Sequence, residues 1–322
     1  MKGKALKPGD TIGLITPATG IFEPGRVDVA IEALGKHGFH VALGKHLFKR
    51  DGYLAGSDEE RAEDFNEMWK NPEIDGIICF QGGGGSSRIL PAIDYQAIVE
   101  HPKIFVGLSD ITALLLAIYK MTGLVTFHGP SALSAQNSEY TESFFLKALT
   151  SPEPIGEITD PPLEKPYDPP YPPPRLVIAE GKARGPIVGG NLTLVKELMG
   201  TPYEIDTRGK IFFFEDINEE PHSIDRMLTQ LLLAGKIQEA AGIVIGECVG
   251  CTPRTMGKKG IPFNFSTEEV FYERLGDLGI PVIYGIRLGH GKDRVTIPLG
   301  VMATLEARGR EAKLVIEEEG TV

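Results

Sequence analysis

Cysteine is scarce in this chain: Cys79, Cys248 and Cys251 are the only three. An odd, small number of thiols cannot build a disulfide framework and suits a reducing compartment. Cys248 and Cys251 stand at CxxC spacing, but neither a second CxxC nor a paired histidine accompanies them, so a tetrahedral metal site lacks ligands. A redox or metal role stays open, and a buried or loop-lining pair is the reading carried forward. Basic runs are missing too. Lys and Arg total 33 against 44 Asp and Glu, a net charge of -11, which repels phosphate backbones at long range and argues against nucleic-acid binding. No apolar run approaches the roughly 18 residues that span a bilayer. The opening segment offers only Thr11 to Thr16 before Pro17, shorter than the apolar stretch of about 7–15 residues in a secretory leader. A cytoplasmic protein with no membrane partner is expected.

What is present is ordinary globular material, 42% hydrophobic and 24% charged over 322 residues. At roughly 150 residues per domain the length suggests two domains. The first half alternates short apolar runs with amphipathic stretches. Strands are expected over Thr11–Thr16, Phe39–Leu43, Ile74–Phe80, Lys103–Leu108 and Leu124–Phe127. Helices are expected over Arg26–His37, Ser57–Trp69 and Ile111–Met121. This alternation predicts an α/β fold, a doubly wound and mostly parallel sheet with helices on both faces. Between Pro161 and Pro174 lie eight of the 24 prolines, which cannot form a central strand or helix interior. The segment reads as a semi-rigid linker, with a proline-rich partner ligand as the alternative. The second half predicts strands at Lys210–Phe214, Gly242–Gly246 and Val282–Gly285 and helices at Ser223–Ala234 and Glu268–Leu275. A hairpin is expected around Arg308-Gly309-Arg310. The domains expected are therefore 1–158, a linker 159–175, and a β-rich α/β domain 176–322.

Four stretches carry chemistry. In Gly107-Leu108-Ser109-Asp110 an apolar strand runs into a serine and then directly into an apolar helix, the context of an exposed nucleophile on a tight turn. With 39 glycines in the chain, Gly-x-Ser also arises by chance, and Ser86 and Ser87 satisfy it. Ile111 replaces the second glycine of that motif, and Ser109 or Asp110 serving only as a helix cap is the competing reading. Gln81-Gly82-Gly83-Gly84-Gly85-Ser86 follows a buried strand and reads as either a flexible turn or a set of backbone donors opposite Ser109. Phe212-Phe213-Phe214-Glu215-Asp216 delivers two acids to the end of a buried strand, where one can orient an imidazole, or cap a loop, or pair with Arg226. His290, between Gly289 and Gly291, has no evident packing role. His128, beside Gly129-Pro130, is its rival as a base. No metal or cofactor is expected.

Taken in order, these stretches resemble the LD-carboxypeptidase family, serine peptidases that include muramoyltetrapeptide carboxypeptidases and microcin C immunity peptidases. The similarity also takes in Gly56-Ser57-Asp58-Glu59-Glu60-Arg61, Phe127-His128-Gly129-Pro130, Gly189-Gly190-Asn191-Leu192, Asp225-Arg226-Met227-Leu228 and Thr296-Ile297-Pro298-Leu299-Gly300. The resemblance implies a Ser109–His290–Glu215 triad at the domain junction and an oxyanion hole from the Asp110 and Gly83 amides. Gly82, Gly84 and Ser86 become candidates for substrate contact. It implies release of terminal D-alanine from a murein tetrapeptide in peptidoglycan recycling, with a small muropeptide as partner and a homodimer as assembly. A peptidyl- or aminoacyl-nucleotide substrate is the second expectation, and a non-catalytic ligand-binding module the third. The chain departs from the family where a loop that commonly reads Arg-Gly-Gly-Tyr-Gly has lost its arginine and tyrosine.

Overall fold

The computed structural model describes residues 1–135, 138–162, 174–253 and 265–322. Most of the proline-rich segment expected to be a linker lies outside the described residues. In the first half β1 (Thr11–Ile15), β2 (His40–Leu43), β3 (Gly76–Cys79), β4 (Ile104–Gly107) and β5 (Phe127–His128) alternate with helices. The helices are α1 (Gly25–Gly35), α2 (Asp58–Lys70), α3 (Tyr95–Glu100) and α4 (Thr112–Thr122), with α5 (Glu139–Thr150) after β5. Strands β3 and β4 are buried along their whole length, as continuous apolar runs between two helical layers must be. The strands pair in parallel in the order β2-β1-β3-β4-β5. The order reverses between β1 and β3, and in such sheets the crevice for a ligand opens at the carboxyl ends of the strands there.

The rest of the chain adds β6 (Gly156–Glu157), β7 (Leu176–Ala179), β8 (Gly181–Asn191), α6 (Leu192–Glu197), β9 (Ile211–Ile217) and α7 (Pro221–Leu233). It continues with β10 (Gly242–Val249), α8 (Thr267–Leu275), β11 (Val282–Gly289), β12 (Ile297–Pro298), β13 (Met302–Arg308) and β14 (Glu311–Ile316). The second sheet runs β6-β14-β13-β8-β9-β10-β11-β7, with β8 to β11 parallel at its centre and antiparallel strands on both sides. The expected hairpin is β13–β14, with Arg308 opposite Glu311. Two short strands cross the expected domain limits. β6 pairs with β14, and β12 pairs antiparallel with β5 of the first sheet.

β8 has no sequence signature of a strand, because its eleven residues include four glycines and Pro186. The structure explains the composition. The first part of β8 pairs with β13 up to Pro186, and from Ile187 onward it pairs with β9. A Cβ on Gly189 would lie 1.7 Å from the Phe213 carbonyl oxygen, so only glycine fits there.

Candidate active site

Ser109 follows β4 directly. Leu108 is extended (φ -140°, ψ 160°), and Ser109 turns into the left-handed region at φ +63°. An L-residue there is strained by roughly 1–2 kcal/mol and is held only by its surroundings. Part of the holding is Gly107, where a Cβ would lie 2.2 Å from Ile111 Cγ2. Ile111 thus packs onto the bare face of Gly107, and the turn closes without a glycine at 111. The helix-cap reading fails on geometry, because neither Ser109 nor Asp110 makes a capping hydrogen bond to this helix. Instead the buried Asp110 carboxylate accepts from the Ser86 amide at 2.8 Å, and the Ser86 hydroxyl donates to the Asp110 carbonyl at 2.6 Å. Burial pushes the Asp110 carboxyl up, partly offset by those Ser86 contacts. Ser86 is fully buried, so its hydroxyl braces the Ser109 turn and is not presented to a ligand.

The glycine loop lies against this turn. A Cβ on Gly82 would sit 3.1 Å from Ser109 Cβ and 3.3 Å from the Asp110 nitrogen. Gly83 has φ +117°, and a Cβ there would strike Thr19 Oγ1 at 2.1 Å. The loop is anchored from outside. Gln81 Nε2 donates to the Thr19 and Gly20 carbonyls, each at 3.0 Å. The Gly84 amide donates to Thr19 Oγ1 at 3.0 Å, so that donor is spent internally. Arg61, buried on α2, donates to the Pro17 and Gly85 carbonyls at 2.6 and 2.8 Å and pairs with Asp58. Among the described residues the Gly82 and Gly83 amides have no internal acceptor, and Gly83 is exposed.

From the second sheet, Glu215 arrives at the carboxyl end of β9 with no exposure to solvent. Two glycines make its pocket. A Cβ on Gly289 would lie 2.4 Å from Glu215 Oε2, and one on Gly246 3.0 Å from Glu215 Cβ. His290 follows β11, and its Nδ1 lies 2.6 Å from Glu215 Oε2. Its side chain keeps 14% of its surface exposed. The other carboxylate oxygen faces Asn191 Nδ2 at 3.4 Å and His128 Nε2 at 3.7 Å. Burial acts to raise the Glu215 carboxyl, but the two imidazoles outweigh it and hold the group down at about 2. His128 is fully buried, so the rival base is closed to solvent.

Asp216 points elsewhere. It accepts from Asn191 Nδ2 (3.0 Å), the Thr193 amide (3.0 Å), the Thr193 hydroxyl (2.9 Å) and the Ile217 amide (2.8 Å), and so fixes the start of α6. Among the described residues Arg226 forms no ion pair with either acid. Cys248 and Cys251 are free thiols on the turn that ends β10, where the Cys251 amide donates to the Cys248 carbonyl at 3.2 Å.

Asn191 joins the halves. Its amide donates to Thr112 Oγ1 at 3.0 Å, three residues past Ser109, while its side chain reaches both acids. Sequence reasoning assigned no role to Asn191, Thr19 or Arg61, although Asn191 and Arg61 stood inside quoted motifs. Their bridging roles come from contacts 24 to 79 residues apart in the chain. A cavity of about 380 Å³ opens at the far end of α4, lined by Leu116, Tyr119 and Lys120, and contains none of these groups. Among the described residues no helix is long and apolar enough to cross a membrane.

Residues 12–129 match the LD-carboxypeptidase N-terminal domain and residues 184–305 the LD-carboxypeptidase C-terminal domain. A probable murein peptide carboxypeptidase of Bacillus subtilis is 39% identical over 320 residues, 97% of this chain and 93% of that protein. The structure of the microcin C7 self-immunity protein MccF in complex with glutamyl sulfamoyl guanosine superposes with a TM-score of 0.86 at 29% identity, covering 100% of this chain and 99% of that one. A muramoyltetrapeptide carboxypeptidase from Oxalobacter formigenes gives 0.80 at 28% identity, covering 97% and 100%. Similarity that runs through both halves at once, together with a fold shared from end to end, leads to one statement: the chain belongs to the LD-carboxypeptidase family.

Proposed function

We propose that the protein is a serine carboxypeptidase that hydrolyses an L,D-peptide bond, releasing terminal D-alanine from a murein tetrapeptide in cytoplasmic peptidoglycan recycling. The observation that carries the reading is the 2.6 Å contact between His290 Nδ1 and the buried Glu215 carboxylate. With Nδ1–H donated to Glu215, the Nε2 lone pair is left free as a base. His290 takes the Ser109 proton as Ser109 Oγ attacks the penultimate carbonyl. Glu215 stabilises the imidazolium that forms. The Asp110 and Gly83 amides receive the oxyanion, each donor contributing roughly a hundredfold or more in rate. His290 then protonates the departing amine, and water repeats the sequence on the acyl-enzyme. The strained Ser109 backbone and the pinned glycine loop support this, because contacts within the protein hold both.

Replacing Ser109 with Ala is expected to abolish release of D-alanine while circular dichroism stays unchanged. Undiminished hydrolysis by that variant ends the proposal. Labelling of Ser109 by a fluorophosphonate probe is expected as well, and its failure would favour a non-catalytic binding module. A second reading, hydrolysis of an aminoacyl-nucleotide, is favoured by the end-to-end likeness to MccF. Offering a murein tetrapeptide and an aminoacyl sulfamoyl adenylate side by side separates the two, with preference for the tetrapeptide expected.

A further inference from the structure

We infer that His128 is a positioning residue, a second imidazole that shares the Glu215 carboxylate and thereby sets how strongly His290 binds a proton. The inference rests on the proposed triad and deepens it. His128 ends β5, lies opposite Gly107 in the sheet and packs edge-on against Phe213, with ring centroids 5.2 Å apart at 73°. It has no exposed surface. Its Nε2 lies 3.7 Å from Glu215 Oε1, and among the described residues neither ring nitrogen has a partner within hydrogen-bond length. A buried imidazole N–H without an acceptor is costly. Among the described residues the one anion within ion-pair distance is Glu215. Bonds within catalytic groups are commonly long until substrate binds, so a 3.7 Å approach suits a contact that tightens during turnover.

The two carboxylate oxygens are divided between the histidines. Oε2 serves His290, and Oε1 faces His128 with Asn191 beside it. A donor on Oε1 withdraws negative charge from Oε2. The carboxylate then orients His290 while stabilising its protonated form less than an unshared anion does. Among the described residues the other charged or titratable groups that act electrostatically on this carboxylate are Asp216, which follows it on β9 with its side chain turned to α6, Cys248 at the end of β10 and Arg294 in the loop after His290. Behind them stands the Glu247–Arg287 pair. None of these belongs to β5, so a change at His128 leaves them in place.

His128→Phe keeps the ring and removes the donor. The acid limb of kcat/KM is expected to move up by about one pH unit, roughly a tenfold loss on the steep acid side of the profile. His128→Gln restores an N–H near the Nε2 position and is expected to bring the limb back toward the wild-type value. An unshifted limb in a folded His128→Phe protein, or equal shifts in the two variants, overturns the inference. Should His128→Phe fail to fold, nitrogen-15 NMR of histidine-labelled wild-type enzyme decides: a neutral His128 carrying its proton on Nε2 supports the role, and one protonated on Nδ1 alone overturns it. A His290→Ala protein that still turns over points instead to failure of the triad, which keeps the two failures distinct.

Discussion

Glu215 holds its charge where no solvent reaches it, and this has a thermodynamic signature. Its carboxyl titrates at about 2 in the folded protein against an ordinary 4.5. The unfolded chain therefore binds the proton first as the medium is acidified. Stability from this group is complete above about pH 4.5 and drains away as pH falls through about 2. Comparing Glu215→Gln with wild type in urea from pH 7 to pH 2.5, the gap in stability is expected to be widest near neutrality and to close towards the acid end. A gap independent of pH contradicts the ionised state assigned to Glu215. At this scale the placing of Ser109, Glu215 and His290 at strand ends was legible in the sequence. Which of Glu215 and Asp216 faces the histidine was not legible in the strand pattern and came only from the family resemblance, because alternation on β9 and the glycines at 246 and 289 decide it together.

Among the elements, α2 shows how a helix supports a loop it does not contain. Ser57 and Glu60 close a capping box at its start, a pattern readable in Ser57-Asp58-Glu59-Glu60. One residue later Arg61 carries its guanidinium to the Gly85 and Pro17 carbonyls. These two functions are separable. Ser57→Ala is expected to lower stability by about 1 kcal/mol with kcat unchanged. Arg61→Lys loses the planar fork, leaves a buried carbonyl unpaired and is expected to cost about 1–3 kcal/mol. It should also lower kcat, because the glycine loop loosens. Urea unfolding and steady-state kinetics on the two proteins check this, and equal effects on kcat would refute the division. β8 shows where sequence reasoning at this scale stops. Its glycines serve close contacts with Phe213 and Thr112, which only the assembled sheet contains, and they erase the period-two pattern that marks a strand.

At the scale of the whole molecule, the two sheets were foreseeable from alternating strands and helices, whereas their exchange of strands was not. Two residues of β12 are too short for any pattern, and their partner β5 lies some 170 positions earlier. With β12 and the Asn191 bridge in place, the halves are expected to unfold as one unit. Scanning calorimetry should give a single transition whose van't Hoff and calorimetric enthalpies agree, and two resolved peaks would contradict this coupling. The same crossing strand governs His290. Residues 290–296, seven in all, separate β11 in one sheet from β12 in the other. That span is moored at both ends, with little slack, and Val295 is tied back to Arg287 through its amide at 2.7 Å. The His290 imidazole is therefore held in register by both sheets at once, and lengthening this short tether is expected to lower turnover even with Ser109, Glu215 and His290 unchanged.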